Sequence, residues 1–142
     1  MFSECHKTYH LPQRQLSVDK DSAHNFCKRW LAAWTGNHPD ELIEFYTADA
    51  LYSDPANPEG LRGSNEILPY FRKLMARNPD WEWESEEVIP TLTGFVLKWR
   101  AVIPSTNGIV REKGLDIVEI RNGRITRNEV HFDRSPLVGP HD

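Results

Sequence analysis

The sequence predicts an α+β fold in which a few helices cover a curved antiparallel sheet and enclose a small-molecule pocket. Three observations carry this. Apolar residues recur at helical spacing through Met75 and at a period of two from Trp81 onward. Asn122-Gly123, a strong hairpin signal, lies between two alternating runs. The 142 residues suffice for one core but not two. Helices followed by a run of long strands is an α+β layout.

Residues 1–20 lack a sustained apolar period and contain Pro12, so they are set apart as an N-terminal extension; the domain is placed at residues 21–136, with a tail at 137–142. Ser22 is the expected N-cap of a first helix, in which Phe26, Trp30 and Trp34 share one face before Gly36. Pro39 with Asp40 and Glu41 opens a short second helix whose apolar side is Leu42, Ile43, Phe45 and Tyr46. Ala50 to Asp54 alternates as a short strand that stops at Pro55 and enters a turn-rich stretch, Ala56 to Gly60. Ser64 is the expected cap of a third helix bearing Ile67, Leu68, Phe71, Leu74 and Met75, which tolerates Pro69 near its start and ends at Asn78-Pro79. Strands follow around Trp81–Glu86, Phe95–Arg100, Arg111–Arg121 and Arg124–Arg134.

The net charge of −4 provides no basic field, which argues against nucleic acid and membrane surfaces as partners. No apolar run approaches the ~18 residues of a membrane helix, and the polar N-terminus lacks a signal-peptide segment, so a cytoplasmic protein is expected. Cys5 and Cys27 form no framework, in keeping with a reducing compartment. Cys5, His6 and His10 are too loosely spaced to read as a metal site, and neither metal nor cofactor is expected.

Strand parity selects the acids that look inward. Asp116 shares a face with Val118 and Ile120, and Asp54 shares one with Tyr52 and Ala50 at a strand end beside a loop. Two carboxylates in one apolar pocket divide into a base and an acid, because burial and mutual repulsion separate their pKa values. That pair suits proton transfer next to a carbonyl. Blander roles compete: Asp54-Pro55 as a turn start, and Asp116 paired with Lys98 or Arg100 on a neighbouring strand. The five tryptophans read first as core, with Trp30 and Trp99 also serving the pocket. Parity places His131 and Asp133 with Arg127 and Glu129 on the outward face, opposite Val130 and Phe132. Nucleophile-elbow, phosphate-loop, dinucleotide and zinc-protease motifs have no match.

The run Arg29-Trp30-Leu31-Ala32-Ala33-Trp34, then Phe45 to Ala50, Ser53-Asp54-Pro55, Gly63, Gly114-Leu115-Asp116, Asn122 to Ile125 and Phe132-Asp133 resembles the nuclear transport factor 2-like superfamily. Within it the likeness is to ketosteroid isomerase and the SnoaL-like polyketide cyclases, over most of residues 22–134. The resemblance implies a cone-shaped, cystatin-like roll and a homodimer formed through the sheet. It places Asp54 where the isomerases keep their proton-shuttling base and Asp116 where they keep a protonated oxyanion-hole acid, an arrangement known from ketosteroid isomerase itself. Trp30 stands where their first-helix tyrosine would be, which weakens the case for steroid isomerisation. The limonene epoxide hydrolases are similar in outline, but Gly114 and Val130 replace their arginine and second acid.

The expectation is therefore an enzyme acting on an apolar carbonyl compound without a cofactor, with Asp54 as base and Asp116 as electrostatic partner. Trp30, Trp34, Tyr52, Trp99, Val118, Val130 and Phe132 would form the pocket walls. The alternative is a non-catalytic ligand-binding or dimerisation module of the same fold.

Overall fold

The computed structural model describes residues 19–133. Cys5, His6 and His10, all but the last two residues of the N-terminal extension and the whole of the 137–142 tail lie outside them. Helix α1 spans Lys20–Ala33 and α2 spans Pro39–Ile43; β1 (Tyr46–Asp54) and β2 (Asn57–Arg62) follow, then α3 (Ser64–Arg77). Four strands complete the chain: β3 (Glu82–Pro90), β4 (Gly94–Ser105), β5 (Gly108–Arg121) and β6 (Arg124–Phe132). They form one curved, open six-stranded sheet in the order β2-β1-β6-β5-β4-β3, with the helices laid against its inner face. The predicted α+β roll is the observed fold.

Several local expectations are corrected. Helix α1 is capped by Asp19 rather than Ser22: its carboxylate accepts the Ser22 N–H at 2.8 Å and the Ser22 hydroxyl at 3.0 Å. An ionised acceptor suits the positive helix end better than a hydroxyl does. Gly63, at φ 79°, precedes α3, so Ser64 is the first helical residue and makes no cap bond. Helix α2 ends before Phe45, and Tyr46 opens β1, which is longer than expected because strands flank it on both sides.

The turn-rich Ala56–Gly60 stretch contains most of an unpredicted strand, β2, at the sheet edge, where Pro58 does no harm by lacking an N–H. The sheet is also not wholly antiparallel, since β1 and β6 run parallel, with Tyr52 opposite Asn128. A parallel pair needs a long crossover, and every element from β2 to β5 lies between these two strands. The Asn122-Gly123 hairpin is as expected, with both residues at positive φ.

Parity along β4 and β5 builds the core. Phe95, Leu97, Trp99, Ala101 and Ile103 point inward with Asp116 and Val118, and meet Phe26, Trp30, Ile67 and Phe71 from the helices. On the outer face, Lys98 pairs with Glu87 and Arg100 with Glu86. No helix among the described residues is long and apolar enough to cross a membrane.

Candidate functional site

Between helices and sheet lies a cavity of about 400 Å³, within the range of small-molecule sites. All five tryptophans line it, with Tyr52, Tyr70 and Phe132. Trp30, Trp34, Trp81 and Trp99 are also buried, so core and pocket wall are the same residues. Exposed Arg77, Pro104 and Ser105 mark the mouth. Of the expected wall residues, Trp30, Trp34, Tyr52, Trp99, Val130 and Phe132 reach the cavity. Val118 does not: it pairs with Phe95 and Asn128, deeper toward the closed end, and is packed in the core.

Both predicted aspartates line the cavity, in unlike settings. Asp54 ends β1 next to a register shift. Its Oδ1 accepts the N–H groups of Ala56 (3.0 Å) and Asn57 (2.8 Å) and the Asn57 side-chain amide (3.0 Å). Its Oδ2 accepts the phenols of Tyr52 (2.8 Å) and Tyr70 (2.6 Å). The turn reading and the pocket reading of Asp54 both hold. Five donors exceed the four lone-pair sites of a carboxylate, so its acceptor capacity is full. The Tyr52 phenol is pushed well above its ordinary pKa by burial and then by the Asp54 charge.

Asp116, on β5, accepts two donors among the described residues. Trp99 Nε1 reaches Oδ1 at 2.7 Å, and Asn128 Nδ2 reaches Oδ2 at 2.9 Å. The Tyr46 hydroxyl in turn donates to Asn128 Oδ1 at 2.8 Å. Pairing of Asp116 with Lys98 or Arg100 is not realised, because both cations lie on the opposite face of β4. Burial raises the Asp116 pKa to about 6, outweighing the bonds from Asn128 and Trp99 that lower it, while the Asp54 charge adds to the rise. The Cys27 thiol, buried in α1, is pushed up to about 12 by burial and then by Asp116, which disfavours the thiolate.

Four residues important here were missing from the expected site. Asn128 is fully buried, and it shares the inward parity of Val130 and Phe132. Glu112 lines the cavity from two inward positions before Asp116. Parity signalled both. Tyr70 comes from α3, and Trp83 from β3 packs edge-on against Trp81 and Trp99. The indole N–H groups of Trp30, Trp81 and Trp83 and Oε2 of Glu112 are buried without a hydrogen-bond partner among the described residues. Burial, and then the Asp116 charge, push the Tyr46 phenol well above its ordinary pKa; the nearby Trp30 Nε1 opposes that rise without reaching hydrogen-bond geometry. His131 is exposed on the outer face, 3.5 Å from Glu129, as parity required.

A comparison with curated proteins returns no match. Among solved structures, the fold is similar to a SnoaL-like protein of unknown function from Burkholderia thailandensis (TM-score 0.69, 20% identity, 82% of this chain and 98% of that one). It is similar also to a protein titled a SnoaL-like polyketide cyclase from Jannaschia (TM-score 0.69, 14% identity, 82% and 88%). A third, from Catenulispora acidiphila, has a ketosteroid isomerase-like fold and was solved with trimethylamine (TM-score 0.68, 18% identity, 76% and 85%). At these identities the likeness is one of fold. The family model for the SnoaL-like domain matches residues 27–128, a span that runs from the middle of α1 into β6 and takes in Asp54, Asp116 and Asn128, and the chain belongs to that family.

Proposed function

We propose that this chain is an acid–base catalyst that moves a proton next to a carbonyl group of a mostly apolar small molecule, in an enolisation, isomerisation or cyclisation that requires no cofactor. The observation that carries this is Asp116: a buried carboxylate on the cavity wall with two lone pairs uncommitted and a pKa raised to about 6. A base with a pKa near the working pH is both largely ionised and able to hold a proton.

The hydrogen bonds favour a different division of labour from the one the resemblance implies. Asp54, with its acceptor capacity full, serves as the anchor for Tyr52 and Tyr70. Asp116 takes the proton from the carbon beside the carbonyl; the C–H electron pair becomes the enolate double bond, and the carbonyl pair moves to oxygen. The unpartnered Trp30 N–H is a donor available to that oxygen. Asp116 then returns the proton to another carbon, or the enolate carbon attacks a second carbonyl and closes a ring, the carbonyl pair moving to oxygen and the Asp116 proton passing to the alkoxide so formed.

Proton exchange measured by NMR in deuterated buffer, over a panel of enolisable aryl ketones, tests this. Replacing Asp116 by Asn should slow exchange by at least about 100-fold, the lower end of general-base effects. An unchanged rate on a ketone that the protein exchanges would reject Asp116 as the base.

A carrier role is the second reading, favoured by the indole of Trp30 in place of a phenol and by the full coordination of Asp54. Pairing of two copies through the outer sheet face fits either reading, since Val96, Val102, Leu115 and Ile117 are only half-buried there. Light scattering that returns the monomer mass at micromolar concentration would remove the dimer.

A further inference from the structure

The cavity has a chemistry that a neutral ketone does not use. Its lining holds three carboxylates, those of Asp54, Asp116 and Glu112, and its one Lys or Arg among the described residues is Arg77, exposed at the mouth. Trp83 pairs with Ala101, and Ala101 with Glu112, so Trp83 and Glu112 occupy one cross-strand row with only a methyl side chain between them. Two strand spacings separate them by about 10 Å. Trp81, Trp83 and Trp99 meet in succession at 84° and 82°, with ring centres 5.2 and 5.1 Å apart, so their faces turn through nearly right angles.

One unsatisfied acceptor specifies what is missing. Oε1 of Glu112 accepts the Lys113 N–H at 3.1 Å, whereas its Oε2 is buried with no donor among the described residues. A buried carboxylate oxygen left unpaired is costly, and a cation removes that cost. Indole faces attract cations, most of all alkylated ammonium groups that shed their water cheaply. Arg111 and Lys113 flank Glu112 in sequence and therefore point to the other side of the sheet, where they leave the inner oxygen unpaired.

We infer that the cavity takes a cationic amine: a ligand whose substituted ammonium group sits between the Glu112 carboxylate and the Trp81–Trp83–Trp99 indoles, with its apolar body reaching inward to Asp116. This rests on the small-molecule pocket proposed above and names its ligand class. Glu112 and Asp116 are four residues apart on β5, about 13 Å along the strand, which sets the distance between charge and reacting carbon.

A pair of isosteres tests it by calorimetry at low ionic strength: 4-(trimethylammonio)phenol against 4-tert-butylphenol, which differ by nitrogen for carbon. The ammonium compound should bind at least about tenfold more tightly. Glu112→Gln, which keeps the shape and removes the charge, should abolish most of that preference. Equal or tighter binding of the neutral phenol refutes the cation site and leaves the apolar pocket and the proton chemistry of Asp116 standing. A preference that survives Glu112→Gln intact also refutes it. Binding of neither compound refutes this inference together with the pocket reading beneath it. Should the variant fail to fold, the two ligands on the unaltered protein still decide the matter.

Discussion

Asp116→Asn should change how stability depends on pH, by an amount the structure allows to be worked out. In the fold the carboxyl has a pKa of about 6 against an ordinary 3.8. Below pH 3.8 it is protonated whether the chain is folded or not, and it contributes nothing. As pH rises the unfolded chain ionises first, so stability falls through the window from about 4 to 6 and stays lower above it. At 1.36 kcal/mol per pKa unit the full loss is about 3 kcal/mol. Asp116 is only 5% exposed, so solvent screening does not reduce that figure much.

The amide can be accommodated. Its oxygen accepts from Trp99 Nε1, and if the Asn128 amide turns over, its NH₂ donates to Asn128 while Asn128 donates to the Tyr46 oxygen. The cost is one hydrogen-bond partner for the Tyr46 proton, about 1 kcal/mol, and it does not vary with pH. Urea unfolding of both proteins between pH 4 and 7.5 is the assay. The variant should start slightly less stable and end more stable, the difference climbing by about 2.5 kcal/mol over that range, or about 1 to 2.5 M in midpoint for a typical urea slope. Contributions from other acids cancel between the two proteins. A difference that stays flat with pH would show that Asp116 titrates alike in folded and unfolded chains, and the desolvation argument would fail.

Asn128→Ala should raise the Asp116 pKa above about 6, since the lost bond is one that lowers it; carbon-detected NMR titration reads this directly, and a fall would contradict the network. Asp54→Asn places an NH₂ where two phenols or three N–H donors now point, and should cost about 1 to 3 kcal/mol by thermal or urea unfolding. Gly114→Ala brings a Cβ to 2.3 Å from the Trp99 ring and 2.8 Å from the His131 carbonyl oxygen, so about 1 to 3 kcal/mol should be lost, with a shift in tryptophan emission. Normal stability in that variant would mean that Trp99 is less tightly seated than its packing indicates.

Much of the fold was legible because period and parity act locally. The hairpin at Asn122-Gly123, the inward row of β4 and the aromatic face of α1 all follow from spacing alone. What escaped depends on partners distant in sequence. β2 contains Pro58 and Gly60 and reads as a turn; it is a strand because β1 offers it an edge to pair with. The parallel pairing of β1 with β6 is a property of the whole topology and leaves no mark in either segment. Tyr46 reads equally well as a helix residue until the β1 pairing draws it out.

The site shows the same boundary at the level of atoms. Parity brings Asp54 and Asp116 to the inner face and, applied further along the same strands, would also have found Glu112 and Asn128. It cannot rank the two aspartates, because rank depends on donors from other elements. Two backbone N–H groups, the Asn57 amide and two phenols converge on Asp54; an indole and one amide reach Asp116. A carboxylate that accepts from five donors has no acceptor site left over, and one that accepts from two on a buried wall keeps lone pairs for a proton. Gly114 is part of that difference: on β5, between Glu112 and Asp116, it is the position where a side chain would displace the Trp99 ring. The chemistry expected of Asp116 therefore depends on an absent methyl group two residues away.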